Sequence, residues 1–330
     1  MADDAGFTFL GAGRDDLEAG RAYLAARAAG AEPPSGPDLY PFLVGLALVE
    51  PVLLAHGTLD QQERWLPRIR TGEEIWCQLF SEPDAGSDLA NLSTRAVRDG
   101  EGWKMTGQKV WSSRAHYSEW GLLLARTDPS VPKHKGITAF AIDMTVPGVE
   151  VRPLVQMNGD RHFSEVFLTE APVADRDRIG EVGEGWGVAI TTLTHERGAL
   201  GPGGGPGRKE LLDLVRSTGR GEDPLVRQRV ADVVGRLELG RLSQAHGSAR
   251  KLLGTHAVKA LADLAVDLRG LGGLVGEDAW LTLFLTAPSI SIRGGTDEIQ
   301  RNILGERVLG LPPEPRVDKA IPFSEVPRSV

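Results

Sequence analysis

The stretch from about residue 75 to residue 175 constrains the fold more than any other part of the chain. Short runs rich in β-branched and aromatic residues alternate there with Gly, Pro and Asp turn signals. The runs are 93–98, 103–106, 109–113, 121–126, 137–143, 149–154 and 165–169, with Gly107 expected to form a turn between the second and the third. This spacing is typical of short strands joined by loops, so it predicts a compact antiparallel β-domain.

Helical patterns precede and follow this stretch. Before it, helices are predicted at 15–29, over the apolar segment 39–54 and at 59–69. After it, they are predicted at 224–242, 251–268 and 297–308. The first of these carries an apolar stripe at helical spacing, made of Val226, Val230, Val233, Leu237 and Leu242. The order predicts a multidomain α+β chain: an N-terminal helical domain at 1–75, a β-domain at 76–178 and a helix bundle with an extended tail at 179–330.

Composition excludes several functional classes. A net charge of −8 argues against a nucleic-acid partner, because phosphate binding needs clustered Lys and Arg. The one cysteine, Cys77, cannot form an internal disulfide, which fits a reducing cytoplasm. Residues 1–5 carry no basic start of a secretory signal, and Glu50 and Pro51 interrupt the longest apolar run. The sequence therefore predicts a cytoplasmic protein without a membrane partner.

Two segments of the β-region have residue types that suit a ligand. In 81–88, Gly86 permits a sharp turn that brings backbone N–H groups together. In 107–113, the indole of Trp111 stands beside two hydroxyl side chains, which suits a planar heteroaromatic ring. An ordinary connecting loop and a strand with one core Trp explain the same residues. Neither segment alone identifies a function.

Two more segments lie in the helical region. In 293–302, paired glycines precede Thr296, which is predicted to cap a helix N-terminus, an end that favours an anionic or carbonyl ligand. In 194–198, Glu196 stands beside Arg197, a pairing that also fits a surface or interhelical ion pair. The sequence contains no HExxH, P-loop or GxSxG motif, and one cysteine cannot build a thiolate site. No metal is predicted.

Taken in order, these segments resemble the acyl-CoA dehydrogenase family. The matching pieces include GTLDQQERWLPRIRTGEE (57–74), CQLFSEPDAGSDLANLSTRA (77–96), GQKVWSSRAHYSEWGLLLARTD (107–128), GITAFAIDM (136–144), GVEVRPL (148–154), GEVGEGWGVAITTLTHER (180–197) and GGTDEIQRNILGERVLGLP (294–312). The resemblance implies an N-terminal helical domain, a middle antiparallel β-domain and a C-terminal four-helix bundle. It also implies FAD as cofactor and an acyl-CoA thioester as substrate.

By the same resemblance, the family's site residues carry over motif by motif. The flavin would be lined by Gln78, Phe80, Ser81, Ser87, Trp111 and Ser113, and the ADP part held by Thr296 and Glu298. The substrate would contact Ser87, Arg197 and Gly295. An electron-transfer flavoprotein would accept the electrons, and the chain would form a homo-oligomer, as dimer or tetramer, or a heteromer with a homologous subunit.

The catalytic base follows the less common of two family patterns. Many members place a Glu just before the Gly-Thr of the last motif, where this chain has Gly294. A minority, similar to isovaleryl-CoA and long-chain dehydrogenases, place it before an Arg in the first bundle helix, where this chain has Glu196. The resemblance implies that Glu196 takes the α proton while flavin N5 receives the β hydride, giving the trans-2-enoyl-CoA. The amide of Gly294 would donate to the thioester carbonyl.

Two departures from the family leave alternatives open. The N-terminal domain is expected to be short for the family, and the Arg-x-x-Phe-Gly segment of the family's helix bundle is absent after Gly201. A non-catalytic or half-active subunit of a heteromeric acyl-CoA dehydrogenase, or an acyl-CoA oxidase, would carry the same motifs. The length, branching or steroid nature of the acyl group is not encoded in these motifs.

Overall fold

The computed structural model describes residues 14–33, 37, 39–199, 205–276 and 278–327. These residues fall into two units. Those in 11–155, 161–199 and 315–330 form a sheet unit, and those in 156–160 and 200–314 form a helical unit. Each unit is described by itself below.

The sheet unit begins with three α-helices, α1 (Arg14–Ala28), α2 (Glu50–His56) and α3 (Leu59–Thr71). The apolar segment predicted as one helix over 39–54 is instead a 3-10 turn, a π-helical turn at Val44–Val49 and then α2. Pro41 and Pro51 each lie in the first turn of a new segment, because proline has no N–H to donate inside a continuing helix. Helix α3 begins at a capping box formed by Thr58 and Gln61.

Eight strands follow in this unit. They are β1 (Trp76–Leu79), β2 (Arg95–Asp99), β3 (Gly102–Ser113), β4 (Trp120–Arg126), β5 (Ile137–Asp143), β6 (Val149–Leu154), β7 (Phe163–Ala174) and β8 (Arg178–Ile179). Their order in the sheet is β6-β7-β3-β2-β4-β5-β8, and β1 pairs with β4. The β1–β4 and β2–β4 pairings are parallel, and the other pairings of these strands are antiparallel. The predicted antiparallel-rich β-domain is confirmed.

The turn predicted at Gly107 is wrong. Strand β3 runs through this residue without ending, and its register with β7 shifts between Met105 and Gly107. A Cβ atom at Gly107 would lie 2.7 Å from Cα of Thr94. Glycine is therefore needed here for the close approach of a neighbouring backbone, which the sequence pattern does not distinguish from a turn.

Strand β4 is the centre of the packing in the sheet unit because both of its faces are buried. Leu122 and Leu124 belong to a core shared with the tryptophans of α3 and β1, Trp65 and Trp76. On the opposite face, Leu123 belongs to a core shared with β3, β5 and β7. Helix α4 (Gly185–Ala199) joins the first of these cores through Val188 and Ala189, so the sheet supports this helix directly.

The helical unit contains α5 (Arg208–Ser217), α6 (Pro224–Leu242), α7 (Gly247–Arg269), α8 (Ala279–Ile290) and the short α9 (Asp297–Ile303), which continues as a π-helical turn, Leu304–Val308. Val226 and Val233 of the predicted stripe are buried against Leu261 and Leu264 of α7. Leu242, the last member of the stripe, is 61% exposed. The overall fold class predicted from the sequence is confirmed.

The C-terminal tail, predicted to be an extended arm, packs on the sheet unit. Phe323 is only 5% exposed. The backbone N–H groups of Phe323 and Ser324 donate to the carbonyls of Val131 and Pro129, each at 2.9 Å. A buried aromatic ring and two backbone hydrogen bonds thus attach the segment to the sheet unit, without any periodic pattern in its sequence. Among the described residues, no helix has both the length and the apolar character needed to cross a membrane.

Candidate active site

Loop 81–88 is hydrogen-bonded to strand β3 within segment 107–113, the other β-region segment predicted to contact the flavin. The N–H of Val110 donates to the carbonyl of Ser81 at 2.9 Å, which places Ser81 beside the neighbour of Trp111. Within the loop, the backbones of Glu82 and Ala85 exchange two hydrogen bonds of 3.1 Å and close a tight turn. The structure thus brings together the two segments that the family resemblance assigns to one flavin site.

A buried ion pair holds the start of this loop. Nζ of Lys109 lies 2.8 Å from Oε1 of Glu82 and also donates to the carbonyl of Phe80 at 3.0 Å. The Glu82 carboxylate accepts the N–H and hydroxyl of Ser93 and the N–H of Thr94 as well. Burial raises the pKa of Glu82, but the Lys109 charge and these hydrogen bonds outweigh it and lower that pKa to about 2. Burial lowers the pKa of Lys109, and Glu82 opposes that effect.

Trp111 is held in an unusual backbone conformation. Its φ of 58° lies in the left-handed region, and it interrupts the register of β3 with β7 between Lys109 and Ser112. The indole is 60% exposed and meets Phe163 edge-on, with ring centroids 5.8 Å apart. A bulky residue in this region of backbone space costs about 1–3 kcal/mol and is characteristic of functional sites. The bulge turns a large flat ring outward where a regular strand would alternate inward and outward.

The other residues predicted to line a flavin differ in what they present. Gln78, Ser81 and Ser113 are half-buried, and Ser87 is exposed at the end of the loop. Phe80 is only 4% exposed, and its side chain belongs to the core around Trp65 and Trp76. Because the side chain of Phe80 is in the core, any contact of this residue with a ligand at the neighbouring loop would be through its main chain.

Glu196 lies in the last part of α4, on the helix face that the sheet covers. Ala189 and Thr192, seven and four residues earlier on the same face, are fully buried, and Glu196 itself is half-buried. Glu196 thus lies on the same helix face as two fully buried residues. Arg197 continues the helix, and its side chain lies outside the described residues.

The remaining predicted residues lie in the helical unit. Gly294 and Gly295 have φ values of 65° and 82° and form the turn before α9. Thr296 caps that helix, as predicted, by accepting the N–H of Ile299 at 3.2 Å. The side-chain amide of Gln300 donates to the carbonyl of Gly294 at 2.9 Å and fixes the turn. Glu298 is exposed in the first turn, where hydrogen bonds from its own backbone N–H and from Thr296 hold the pKa of its carboxyl below the usual value.

The far end of loop 81–88 is held by two residues that sequence reasoning missed. Arg126, buried at the end of β4, donates to the carbonyls of Ala90, Leu92 and Lys133 at 2.7, 3.0 and 2.9 Å. Nζ of Lys133 donates to both carboxylate oxygens of Asp88, at 2.9 and 2.7 Å. Arg126 could have been noticed in the sequence because it is a charged residue at the end of an apolar strand. Lys133 lies in a polar loop, where no sequence signal distinguishes it.

Comparison with known families identifies the fold. The family model "Acyl-CoA dehydrogenase, middle domain" matches residues 77–170, and the model "Acyl-CoA dehydrogenase, C-terminal domain" matches residues 183–309. The chain belongs to the acyl-CoA dehydrogenase family. The two matches contain every residue predicted for the site, from Gln78 to Glu298.

Individual relatives agree with the family assignment. The chain is 45% identical over 280 residues to the acyl-CoA dehydrogenase FadE34 of Mycobacterium tuberculosis, in a match that covers 79% of this chain and 39% of that protein. It therefore spans about two fifths of the length of FadE34. It is 42% identical to the acyl-CoA dehydrogenase IpdE1 of the same organism, with 82% and 75% covered. Among solved structures, the ChsE4-ChsE5 complex of M. tuberculosis matches with a TM-score of 0.76 and 28% identity, covering 90% of this chain and 89% of that chain.

The residues present fit FAD, the cofactor of the family. An isoalloxazine ring needs a flat apolar surface and polar groups at its edge, and the sheet unit offers the exposed indole of Trp111 beside Ser81 and Ser113. Thr296 and Glu298, predicted to hold the ADP part, lie in the first turn of α9 in the helical unit, and their role stays a prediction.

Proposed function

We propose that this chain catalyses the α,β-dehydrogenation of an acyl-CoA thioester to the trans-2-enoyl-CoA, with Glu196 as the base that takes the α proton. The observation that carries the proposal is the half-buried position of Glu196 on the face of α4 that also carries the fully buried Ala189 and Thr192. Gly294 occupies the position where other family members carry their Glu, so Glu196 is the carboxylate that the family pattern leaves for this role.

The roles of the chain's own residues follow from their chemistry. FAD, when bound, supplies the two-electron acceptor. Trp111, Ser81 and Ser113 would hold and orient the flavin, with Gln78 and the Phe80 backbone beside them, and Thr296 and Glu298 would hold the ADP part. Ser87, Gly295 and Arg197 would contact the substrate. The N–H of Gly294 would donate to the thioester carbonyl, which stabilises the negative charge that develops when the α proton leaves.

Anaerobic titration of the purified holoprotein with a panel of acyl-CoA thioesters tests this function. We expect the flavin absorbance to bleach with at least one of them. Glu196→Gln should keep FAD and slow bleaching by about 10²–10⁴-fold, the range for loss of a positioned base. Glu181→Gln is the matched control, because that carboxylate is 84% exposed and lies in the same unit. Near-normal bleaching in Glu196→Gln would rule out the assignment.

The electron acceptor needs a separate measurement. We propose an electron-transfer flavoprotein, because the dehydrogenases of the family pass their electrons to one. Oxygen consumption by the substrate-reduced protein, with and without an added electron-transfer flavoprotein, distinguishes this from an oxidase. Rapid reoxidation by O₂ alone would favour the acyl-CoA oxidase reading.

A second candidate is supported by the likeness to the ChsE4-ChsE5 complex, an assembly of two differently named chains. In this reading the chain is one subunit of a heteromeric acyl-CoA dehydrogenase and is half-active or non-catalytic alone. The purified single chain decides between the two readings. A yellow protein that acyl-CoA bleaches, with a homo-oligomeric mass in solution, supports the self-sufficient enzyme; a colourless chain supports the heteromer.

A further inference from the structure

The C-terminal tail contacts the residues that fix loop 81–88. The tail residues Asp318 and Phe323 follow residue 309, the last one matched by the family model of the C-terminal domain. They nevertheless lie in the sheet unit, together with the loop predicted to bind the flavin. Their partners there are the two cations, Lys133 and Arg126, that hold the far end of the loop.

Phe323 covers the guanidinium group of Arg126. The guanidinium carbon lies 3.6 Å from the centroid of the phenyl ring, and both residues are buried. The three carbonyls that Arg126 binds belong to Ala90, Leu92 and Lys133, so its orientation sets the backbone directly after the loop. The aromatic ring excludes water from this cation and strengthens its hydrogen bonds in the low dielectric.

Asp318 acts on the loop through Lys133. Nζ of Lys133 lies 2.5 Å from Oδ2 of Asp318 and 2.7 Å from Oδ2 of Asp88, the last residue of loop 81–88. The ammonium group thus joins a tail residue to a loop residue. Asp88 follows Ser87, which the proposed function assigns to the substrate and the family resemblance also to the flavin. Movement of the tail would release one of the two carboxylates that hold the lysine in place.

We propose that Asp318 and Phe323 are positioning residues that hold loop 81–88 in its FAD-binding shape. This inference rests on the proposed function, because it takes FAD as the ligand of the loop. The tail forms one clamp through Lys133 and Arg126, and the Glu82–Lys109 pair holds the opposite end of the loop. The loop is then fixed at both ends while Gly86 and Ser87 stay exposed for the ligand.

The test uses the 330-residue chain without FAD and three variants. Asp318→Asn removes the carboxylate charge, and Phe323→Leu fills the buried space without an aromatic face. Glu325→Gln is the matched control, because it removes the same charge from an exposed position in the same turn. The first readout is the Kd for FAD, measured by quenching of flavin fluorescence. The second is hydrogen exchange of peptides that cover 81–92, measured without FAD.

We expect Asp318→Asn and Phe323→Leu to raise the Kd on the order of tenfold, the factor that loss of one partly desolvated cation contact produces. Both should also speed exchange in 81–92 with little change elsewhere in the sheet, a local effect that general loss of stability would not produce. Glu325→Gln should match the wild type in both readouts. Unchanged exchange in 81–92 with an unchanged Kd overturns the clamp alone. A wild-type protein that does not bind FAD overturns the proposed function and with it the role of the clamp, whatever the exchange data.

Discussion

Nζ of Lys109 and Oε1 of Glu82 lie 2.8 Å apart, with exposed side-chain fractions of 0% and 6%. This pair joins the middle of strand β3 to the first turn of loop 81–88. Its charges are compensated because the ammonium group also meets the Phe80 carbonyl and the carboxylate also meets Ser93 and Thr94. Taking either charge out of water without the other would be costly, so this pair couples the loop energetically to the strand.

Removing one member of this pair should be far more damaging than removing both. We expect Lys109→Met or Glu82→Gln alone to lower the free energy of unfolding by about 3–5 kcal/mol, because each leaves the other group buried without its partner. The double variant should recover most of this loss, since no buried charge remains. Urea unfolding of the apo-proteins measures the cycle. Additive losses in the double variant would show that the two groups are not coupled.

The same pair predicts an acid-sensitive component of stability. The pKa of Glu82 is about 2 in the folded protein, below its usual value of 4.5, so the unfolded chain binds this proton first as the pH falls. The stabilisation is fully present above pH 4.5 and is lost progressively between pH 4.5 and about 2. Glu82→Gln should lack this component. Unfolding free energies measured from pH 6 to pH 3 check the difference, and parallel curves for the two proteins would contradict it.

Local sequence patterns were enough to predict which segments form helices and which form strands. They did not predict where a strand continues through a glycine or which charged side chains are buried. The stripe Val226, Val230 and Val233 predicted α6 over its full length because helical periodicity is a property of neighbouring residues. The prediction at Gly107 was wrong because a glycine that is required by contact with the distant Thr94 cannot be told from a turn glycine in the sequence. Lys109 was passed over because its buried partner lies 27 residues away in the chain.

In the candidate site, too, features set by neighbouring residues were predictable and features set by distant residues were not. Thr296 was predicted as a helix cap from adjacent residues, and it is one. The outward-facing conformation of Trp111 depends on a register shift against β7 that no local signal encodes. The clamp formed by Phe323 and Asp318 depends on a tail whose sequence has no periodicity at all. Family motifs supplied the predicted site residues, but only the structure gave the contacts that position them.

Trp111 should matter for FAD and little for folding. Trp111→Gly relieves a left-handed backbone at the loss of a largely exposed ring, so we expect the free energy of unfolding to stay within about 1 kcal/mol of the wild type. The Kd for FAD should rise by about three- to tenfold, the factor for one aromatic contact. Trp111→Phe, which keeps a ring, should lie between the two. Wild-type FAD affinity in Trp111→Gly, measured by flavin fluorescence, would exclude a flavin contact.

Gly107→Ala should destabilise the sheet unit, and truncating the side chain of Thr94 should not restore the lost stability. The new Cβ would lie 2.4 Å from Oγ1 and 2.7 Å from Cα of Thr94, and the second of these atoms is backbone. We expect a loss of about 1–3 kcal/mol, typical of an overpacked site, and we expect Thr94→Ala to leave most of it in place. Gly86→Ala is the control, because nothing lies within 4 Å of its Cβ position. Urea unfolding measures Gly107→Ala, its combination with Thr94→Ala, and Gly86→Ala. Full recovery of stability in the combined variant would mean that the Thr94 hydroxyl, and not the neighbouring backbone, requires the glycine.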